Sequence, residues 1–234
     1  MKRLLAAIAM LALVACARNP DDALVYRVRE MKPSVVLLRM KVPPEKKSDG
    51  YDDAYGTGFV VASGDWGSDI LTAAHVVDGA WDLTATIDNK VQVPAKILAL
   101  DDDKDLALLR IARANLPVIA LPQPRDLLSE LGREVAVLGY PVPDDFEDEK
   151  LGLATSIGTG VLSALRNDAV EVTLPIIPGE SGGPVFLVDT GEIIGLADSR
   201  LDDEHAIGFA VPLSDITAFL ANAEAAHRSS AQAR

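Results

Sequence analysis

The chain has one cysteine, Cys16, in 234 residues, so no disulfide can form within it and packing alone must hold the fold. No group of cysteines and histidines has zinc spacing, and no glycine-rich loop is set up to cradle phosphate; no metal and no catalytic cofactor are expected. Aromatic residues are 5% of the chain against 49% hydrophobic residues, which leaves the core to aliphatic side chains. Positive charge is scarce: 22 Lys and Arg face 35 Asp and Glu, the net charge is −13, and no basic cluster follows the first residues. Nucleic acid is therefore not an expected partner, because phosphate binding needs clustered Lys and Arg. Such an acidic surface favours solubility and disfavours anionic membrane surfaces. The uncharged apolar start, Leu4 to Ala15, is only twelve residues, too short for a stable membrane-spanning helix of about 20.

That start has another use. Met1-Lys2-Arg3, the apolar run and Leu13-Val14-Ala15-Cys16 form the pattern of an export signal, residues 1–15, to be set aside from the fold. Its end looks like the lipobox of bacterial lipoproteins, in which the cysteine is lipidated and becomes the new N-terminus. The single cysteine stands where a lipobox needs it. Cleavage after Ala15-Cys16-Ala17, an A-x-A-like site, is the alternative. Lipidation of Cys16 predicts an N-terminal lipid anchor in a bacterial envelope, facing the periplasm. Ala17, where an aspartate would signal retention, favours the outer membrane over the inner.

Beyond the signal the pattern is mostly that of strands. Asp21 to Met31 reads as a short helix with Leu24, Val25, Val28 and Met31 on one face, stopped by Pro33. Val35–Met40 is a strand and Val42–Tyr55, with Pro43-Pro44 and mixed charge, a loop. Gly58–Ala62, Ile70–Ala74, Leu83–Ile87, Val91–Val93, Lys96–Leu100 and Leu106–Ile111 follow, about enough for one six-stranded barrel. Ala112 to Leu128, with Pro117, Pro122 and Pro124, reads as a connection. A second set runs through Glu134–Gly139, Leu153–Ala164, Ala169–Leu174, Val185–Val188, Glu192–Ala197 and Ala206–Val211. Ser214 can cap a final helix with Ile216, Phe219 and Leu220 on one face. The polar, Ala-rich tail is expected to fray.

The chemistry-bearing stretch is Pro178-Gly179-Glu180-Ser181-Gly182-Gly183-Pro184. It sets one serine among glycines, where backbone N–H groups can converge on an oxyanion. Gly-Gly-Pro alone would be ordinary turn chemistry. Upstream, however, lie Leu71-Thr72-Ala73-Ala74-His75-Val76-Val77 and Asp105-Leu106-Ala107-Leu108-Leu109-Arg110-Ile111, in the order His, Asp, Ser. Ser181 also fits Gly-x-Ser-x-Gly, the elbow of α/β-hydrolases. That reading needs a following helix and a downstream acid and histidine. Here Pro184 and a strand follow, and the downstream histidines are His205, in an acidic stretch, and His227, in the tail.

With Pro33-Ser34-Val35-Val36, Gly56-Thr57-Gly58-Phe59-Val60-Val61, Gly139-Tyr140-Pro141, Gly158-Thr159-Gly160-Val161-Leu162-Ser163-Ala164 and Ile207-Gly208-Phe209-Ala210-Val211-Pro212, these segments resemble the trypsin-like peptidases, most closely the protease domain of the HtrA/Deg group, from about residue 24 to 220. The resemblance implies an all-β fold of two six-stranded antiparallel barrels, chymotrypsin-like, with a short N-terminal and a C-terminal helix. It divides the chain into a signal (1–15), an N-terminal barrel (16–116), a C-terminal barrel with its helix (117–220) and a tail (221–234). It agrees with the single cysteine, since the HtrA-like group largely does without disulfides.

The implied reaction is peptide-bond hydrolysis, with Ser181 as nucleophile, His75 as general base and then acid, Asp105 orienting the histidine, and the N–H groups of Gly179 and Ser181 as the oxyanion hole. By position, Ile176 helps line the primary pocket and Pro175 stands where trypsins carry an acidic selector. That favours a small or medium apolar residue before the cut. The opposite wall falls at Gly195-Leu196-Ala197-Asp198-Ser199-Arg200, where the HtrA pattern has Asn-Thr; Asp198 or Arg200 entering the pocket would change the preference. HtrA relatives carry PDZ domains after the protease unit, so peptide sensing by an appended PDZ is not expected from this sequence. Pro143-Asp144-Asp145-Phe146-Glu147-Asp148-Glu149-Lys150 lies where the family's activation loops lie and reads either as a solvated acidic loop or as a regulatory element. The expected function is envelope protein quality control or processing, on unfolded or extended polypeptides, with a homotrimer suggested by the group. An inactive adaptor of the same fold is the alternative, although no triad member is missing. Ester or acyl-transfer chemistry by the same triad is a third reading.

Overall fold

Short apolar runs, each closed by glycine, proline or an acidic turn, fold here as antiparallel strands. A computed structural model describes residues 20–43, 53–198 and 207–232, and twelve strands in them close into two barrels. The first is built from β1 (Val35–Lys41), β2 (Asp53–Gly64), β3 (Gly67–Thr72), β4 (Trp81–Ile87), β5 (Val91–Asp101) and β6 (Leu106–Ile111), in the order β1-β2-β3-β6-β5-β4. The second uses β7 (Glu134–Gly139), β8 (Ser156–Leu165), β9 (Val170–Val172), β10 (Pro184–Leu187), β11 (Ile193–Asp198) and β12 (Gly208–Pro212), with neighbours β7-β8-β9-β12-β11-β10. Counted from its own first strand, the second barrel repeats the order of the first. The expected architecture of two six-stranded antiparallel barrels is the one observed. Helices α1 (Pro20–Met31), α2 (Ala74–Val77), α3 (Pro143–Asp148) and α4 (Leu213–Gln232) complete the described chain.

Strand alternation explains how so many continuous apolar runs are used. On β7, Val135 and Val137 point into the second barrel, while Ala136 and Leu138 turn outward and join the core shared with the first. On β10, Val185 and Leu187 go inward and Phe186 outward in the same way. Both faces of these strands are dry, so a period-two pattern of polar residues has no place to appear. Phe59, Phe186 and Tyr140 are the largest fully buried side chains, and the rest of that group is aliphatic. Each such Leu, Ile or Val contributes about 1.5–3 kcal/mol by leaving water.

Several local expectations change. Val91–Val93 and Lys96–Leu100 are one strand, because Pro94 falls just outside the ladder with β6, which starts at Ala95 opposite Ile111. The acidic segment expected as a loop forms α3, with Pro143 in its first turn and Asp144 and Asp145 at the N-terminal end of the helix dipole. Ser214 lies inside α4, which starts one residue earlier, at Leu213. The tail expected to fray from residue 221 continues this helix to Gln232. Ala-rich sequence has high helix propensity, and Leu220 and Ala223 extend the face by which Ile216 and Phe219 pack on the core. Cys16, Arg200 and His205 lie outside the described residues.

Candidate active site

The histidine segment does not continue as strand. After β3 ends at Thr72, the extended Ala73 leads into α2, a single turn that lifts His75 out of the barrel wall while Val76 and Val77 stay buried. Asp105 closes the turn before β6 with φ at 54°, a left-handed conformation that aspartate tolerates better than most side chains. Its carboxylate holds one residue twice. Oδ1 accepts the His75 backbone N–H at 2.8 Å, and Oδ2 stands 2.7 Å from His75 Nδ1. A carboxylate can only accept there, so the neutral ring carries its proton on Nδ1 and keeps a lone pair on Nε2. Loss of hydration pulls the His75 pKa down, but the hydrogen bond and charge of Asp105, joined by the charge of Asp198, outweigh it and hold the value above 6.5.

The serine loop is shaped by its own short bonds. The Glu180 N–H donates to Ile177 O at 2.9 Å around Pro178 and Gly179, and Gly179 has φ of 98°, the pattern of a type II turn. A side chain at Gly179 would stand 2.2 Å from Tyr140 O, so the position needs glycine on two counts. The Glu180 carboxylate, 3% exposed, accepts the Ile177 N–H at 2.9 Å and closes the turn from the other side. Burial raises the Glu180 pKa above its ordinary value, with the Ile177 N–H pulling the other way. Gly183 N–H to Glu180 O closes the loop on itself, and Gly182 N–H to Ala197 O and Ala197 N–H to Gly183 O tie it to β11.

This loop meets the first barrel at β2 and β3. The Thr57 N–H donates to Ser181 O at 2.9 Å, and its hydroxyl donates to Gly179 O at 2.6 Å. A Cβ on Gly182, whose φ is 90°, would lie 2.1 Å from Thr57 O and 3.1 Å from Ala73 N, two residues before His75. Glycine here therefore lets the serine loop and the histidine turn touch. Ser181 is 5% exposed and Asp105 partly so, while the His75 side chain is 46% exposed.

The structure brings His75, Asp105 and Asp198 together: one ring nitrogen and one oxygen from each carboxylate lie within 4.8 Å of one another. A cation could be held by such a set, but the 2.7 Å approach of Nδ1 to Asp105 is already that of a hydrogen bond. Ile176 is buried in the second barrel, its side chain against Gly208, and Pro175 is exposed. Sequence reading missed the bonding roles of Thr57 and Glu180. Gly56-Thr57-Gly58 did carry a signal, a polar residue between glycines at the head of an apolar run.

The family description "Trypsin-like peptidase domain" matches residues 56–196, more than half of the chain and a span containing His75, Asp105 and Ser181. The chain belongs to the trypsin-like peptidase family. This trypsin-like chain is similar to "Protease Do-like 1, chloroplastic" of Arabidopsis thaliana, 32% identical over 178 residues, covering 69% of this chain and 37% of that protein. It is similar to a Halomonas elongata protein named "Probable periplasmic serine endoprotease DegP-like", 28% identical over 187 residues, covering 75% of this chain and 36% of that protein. Both relatives are thus far longer than the span they share with it. The crystal structure of the serine endoprotease from Yersinia pestis superposes with a TM-score of 0.66 at 26% identity, covering 88% of this chain and 66% of that one. HtrA/Deg proteins are therefore among its relatives, as the sequence motifs suggested.

Proposed function

We propose that this chain is a serine endopeptidase of the bacterial cell envelope, using Ser181, His75 and Asp105 as its triad. The observation that carries the reading is the double grip of Asp105 on the backbone and ring of His75, set beside a serine loop tied across to Thr57. His75 Nε2, left with its lone pair, takes the Ser181 proton as Oγ adds to the scissile carbonyl. The Gly179 and Ser181 N–H groups receive the oxyanion. The imidazolium, stabilised by Asp105, then protonates the leaving amine, and water admitted to the acyl-enzyme repeats the sequence to release the acid. The exposed His75 ring opens the site to solvent, which suits an extended polypeptide too large to be enclosed.

Ile176, with no carboxylate at Pro175, supports a preference for Val, Ala or Leu before the cut. The basic start and the Leu13–Cys16 pattern support export and a lipid anchor at Cys16, facing the periplasm, more in keeping with the outer membrane than the inner. The resemblance to HtrA proteins supports protein quality control or processing as the role and a homotrimer as the assembly.

A fluorophosphonate probe tests the chemistry without a known substrate. Wild type labels at Ser181, Ser181→Ala does not, and His75→Ala labels far more slowly. Asp105→Asn lowers turnover by about 10⁴ because it permits the wrong tautomer. A folded protein that never labels would favour the adaptor reading. Intact mass without an acyl addition at Cys16 would end the anchor proposal, and cleavage mainly after Lys or Arg would end the apolar-pocket one.

A further inference from the structure

Two carboxylates, not one, stand at the histidine. Asp198 ends β11, pairs in register with Phe209 on β12, and is 4% exposed. An ionised side chain that deep in a protein needs opposite charge or hydrogen bonds to offset its lost hydration. One of its oxygens lies within 4.8 Å of a His75 ring nitrogen and of an Asp105 oxygen, alongside its other interactions. Asp105 has the same charge, so with a neutral imidazole two carboxylates of like charge stand close together beside a ring that is 46% exposed. An imidazolium between them relieves that repulsion.

We propose that Asp198 is a positioning residue for His75, a second carboxylate that steadies the imidazolium formed when Ser181 gives up its proton. The proposal rests on the serine-peptidase reading and deepens it. It also reassigns Asp198 from the specificity pocket to the base. The raised pKa of His75 agrees, since the Asp198 charge contributes to it after hydration loss and Asp105. Other titratable groups lie on the elements around His75. Asp78 caps α2, and β2 approaches α2 through Gly56 against Val76 and carries Tyr55 next in sequence. Lys104, beside Asp105 in sequence, pairs with Asp215 at 3.0 Å. The consequence is a trade: the base is stronger in the transition state but is held protonated at rest to higher pH.

The test measures two quantities against pH in wild type, Asp198→Asn, Asp198→Thr and Asp198→Glu. One is the rate of fluorophosphonate labelling. The other is the His75 ring resonance, recorded in a Ser181→Ala background and assigned by its loss in His75→Gln among three histidines. In the Asn and Thr variants both midpoints should move to lower pH, and the labelling plateau should fall roughly threefold as the base weakens. Glu should restore the wild-type midpoint at least in part; Thr supplies a second neutral side chain if Asn does not fold. Unmoved midpoints overturn the proposal. So does a changed preference for basic residues before the cut with no change in the pH profile, which would return Asp198 to the pocket. If wild type never labels, the peptidase reading falls, while the resonance still decides whether Asp198 acts on His75.

Discussion

The Thr57 hydroxyl donates to the Gly179 carbonyl at 2.6 Å, joining the first barrel to the serine loop of the second across 122 residues of sequence. The same oxygen accepts the Tyr140 N–H at 3.0 Å, and Tyr140 O is the atom that bars a side chain at Gly179. One buried hydroxyl therefore sets the spacing of two segments that flank Ser181. Thr57→Val keeps the shape and leaves both partners unpaired. It should destabilise the fold by about 1–3 kcal/mol and slow probe labelling, whereas Thr57→Ser should retain most of both. Denaturant unfolding alongside labelling checks this; a Val variant equal to wild type in both would show the hydroxyl to be incidental.

His75 supplies a pH dependence with a definite sign. As the proposed base His75 works when neutral, and its pKa is held above 6.5, so wild-type labelling should climb through a midpoint on the alkaline side of that value. The linked stability runs the opposite way. A histidine whose folded pKa is raised adds stability that is full below its unfolded value, near 6.5, and is lost as pH rises through the folded one. His75→Gln should lose that increment, so the stability gap between wild type and variant should narrow from pH 5.5 to pH 9.

Glu180 titrates in the reverse sense to most carboxylates. Its folded pKa is raised, chiefly by burial, so the folded state holds the proton more tightly than the unfolded chain does. Stability from this group is full below about 4.5, the unfolded value, and falls as pH rises through the folded one. Glu180→Gln keeps an oxygen for the Ile177 N–H and removes the charge. Thermal melts should show the variant gaining on wild type between pH 4 and pH 7; a constant difference over that range would refute the assignment.

Arg39 on β1 reaches α3, bonding Asp144 at 2.5 Å and also Glu147. From the residue before α3, Val142, an N–H runs to Pro178 O at 2.9 Å, so the backbone leading into the acidic segment touches the serine loop. All three partners keep solvent access, and exposed ion pairs contribute about 0–1 kcal/mol. Arg39→Ala should therefore barely change global stability. Its effect should be local, as faster amide exchange in residues 143–150 that high salt reproduces in wild type. A large loss of global stability would mean that Arg39 supports the first barrel itself.

The apolar runs from Val35 to Ile111 and from Glu134 to Val211 were enough to read two sets of strands, the resemblance to trypsin-like peptidases implied their closure into two antiparallel barrels, and the segments around His75, Asp105 and Ser181 were enough to propose the site. These are local signals: strand period, turn residues and the order of three motifs. The same rules misread places where local choice is nearly neutral. The strand read as Ile70–Ala74 ends at Thr72, and Ala74–Val77 turns as helix where Gly182 comes close to Ala73. The Ala-rich end of α4 becomes helix because Leu220 and Ala223 find the core. Asp198 is expected at the pocket wall from its place on β11, and barrel closure also brings its carboxylate within 4.8 Å of His75 and Asp105, which no local pattern shows. Thr57 lies just before the strand read at Gly58–Ala62, and only the fold brings Gly179 and Tyr140 to its hydroxyl. Contacts across the two barrels join residues far apart in sequence, and no local pattern encodes which side chain will face which once both sheets have closed.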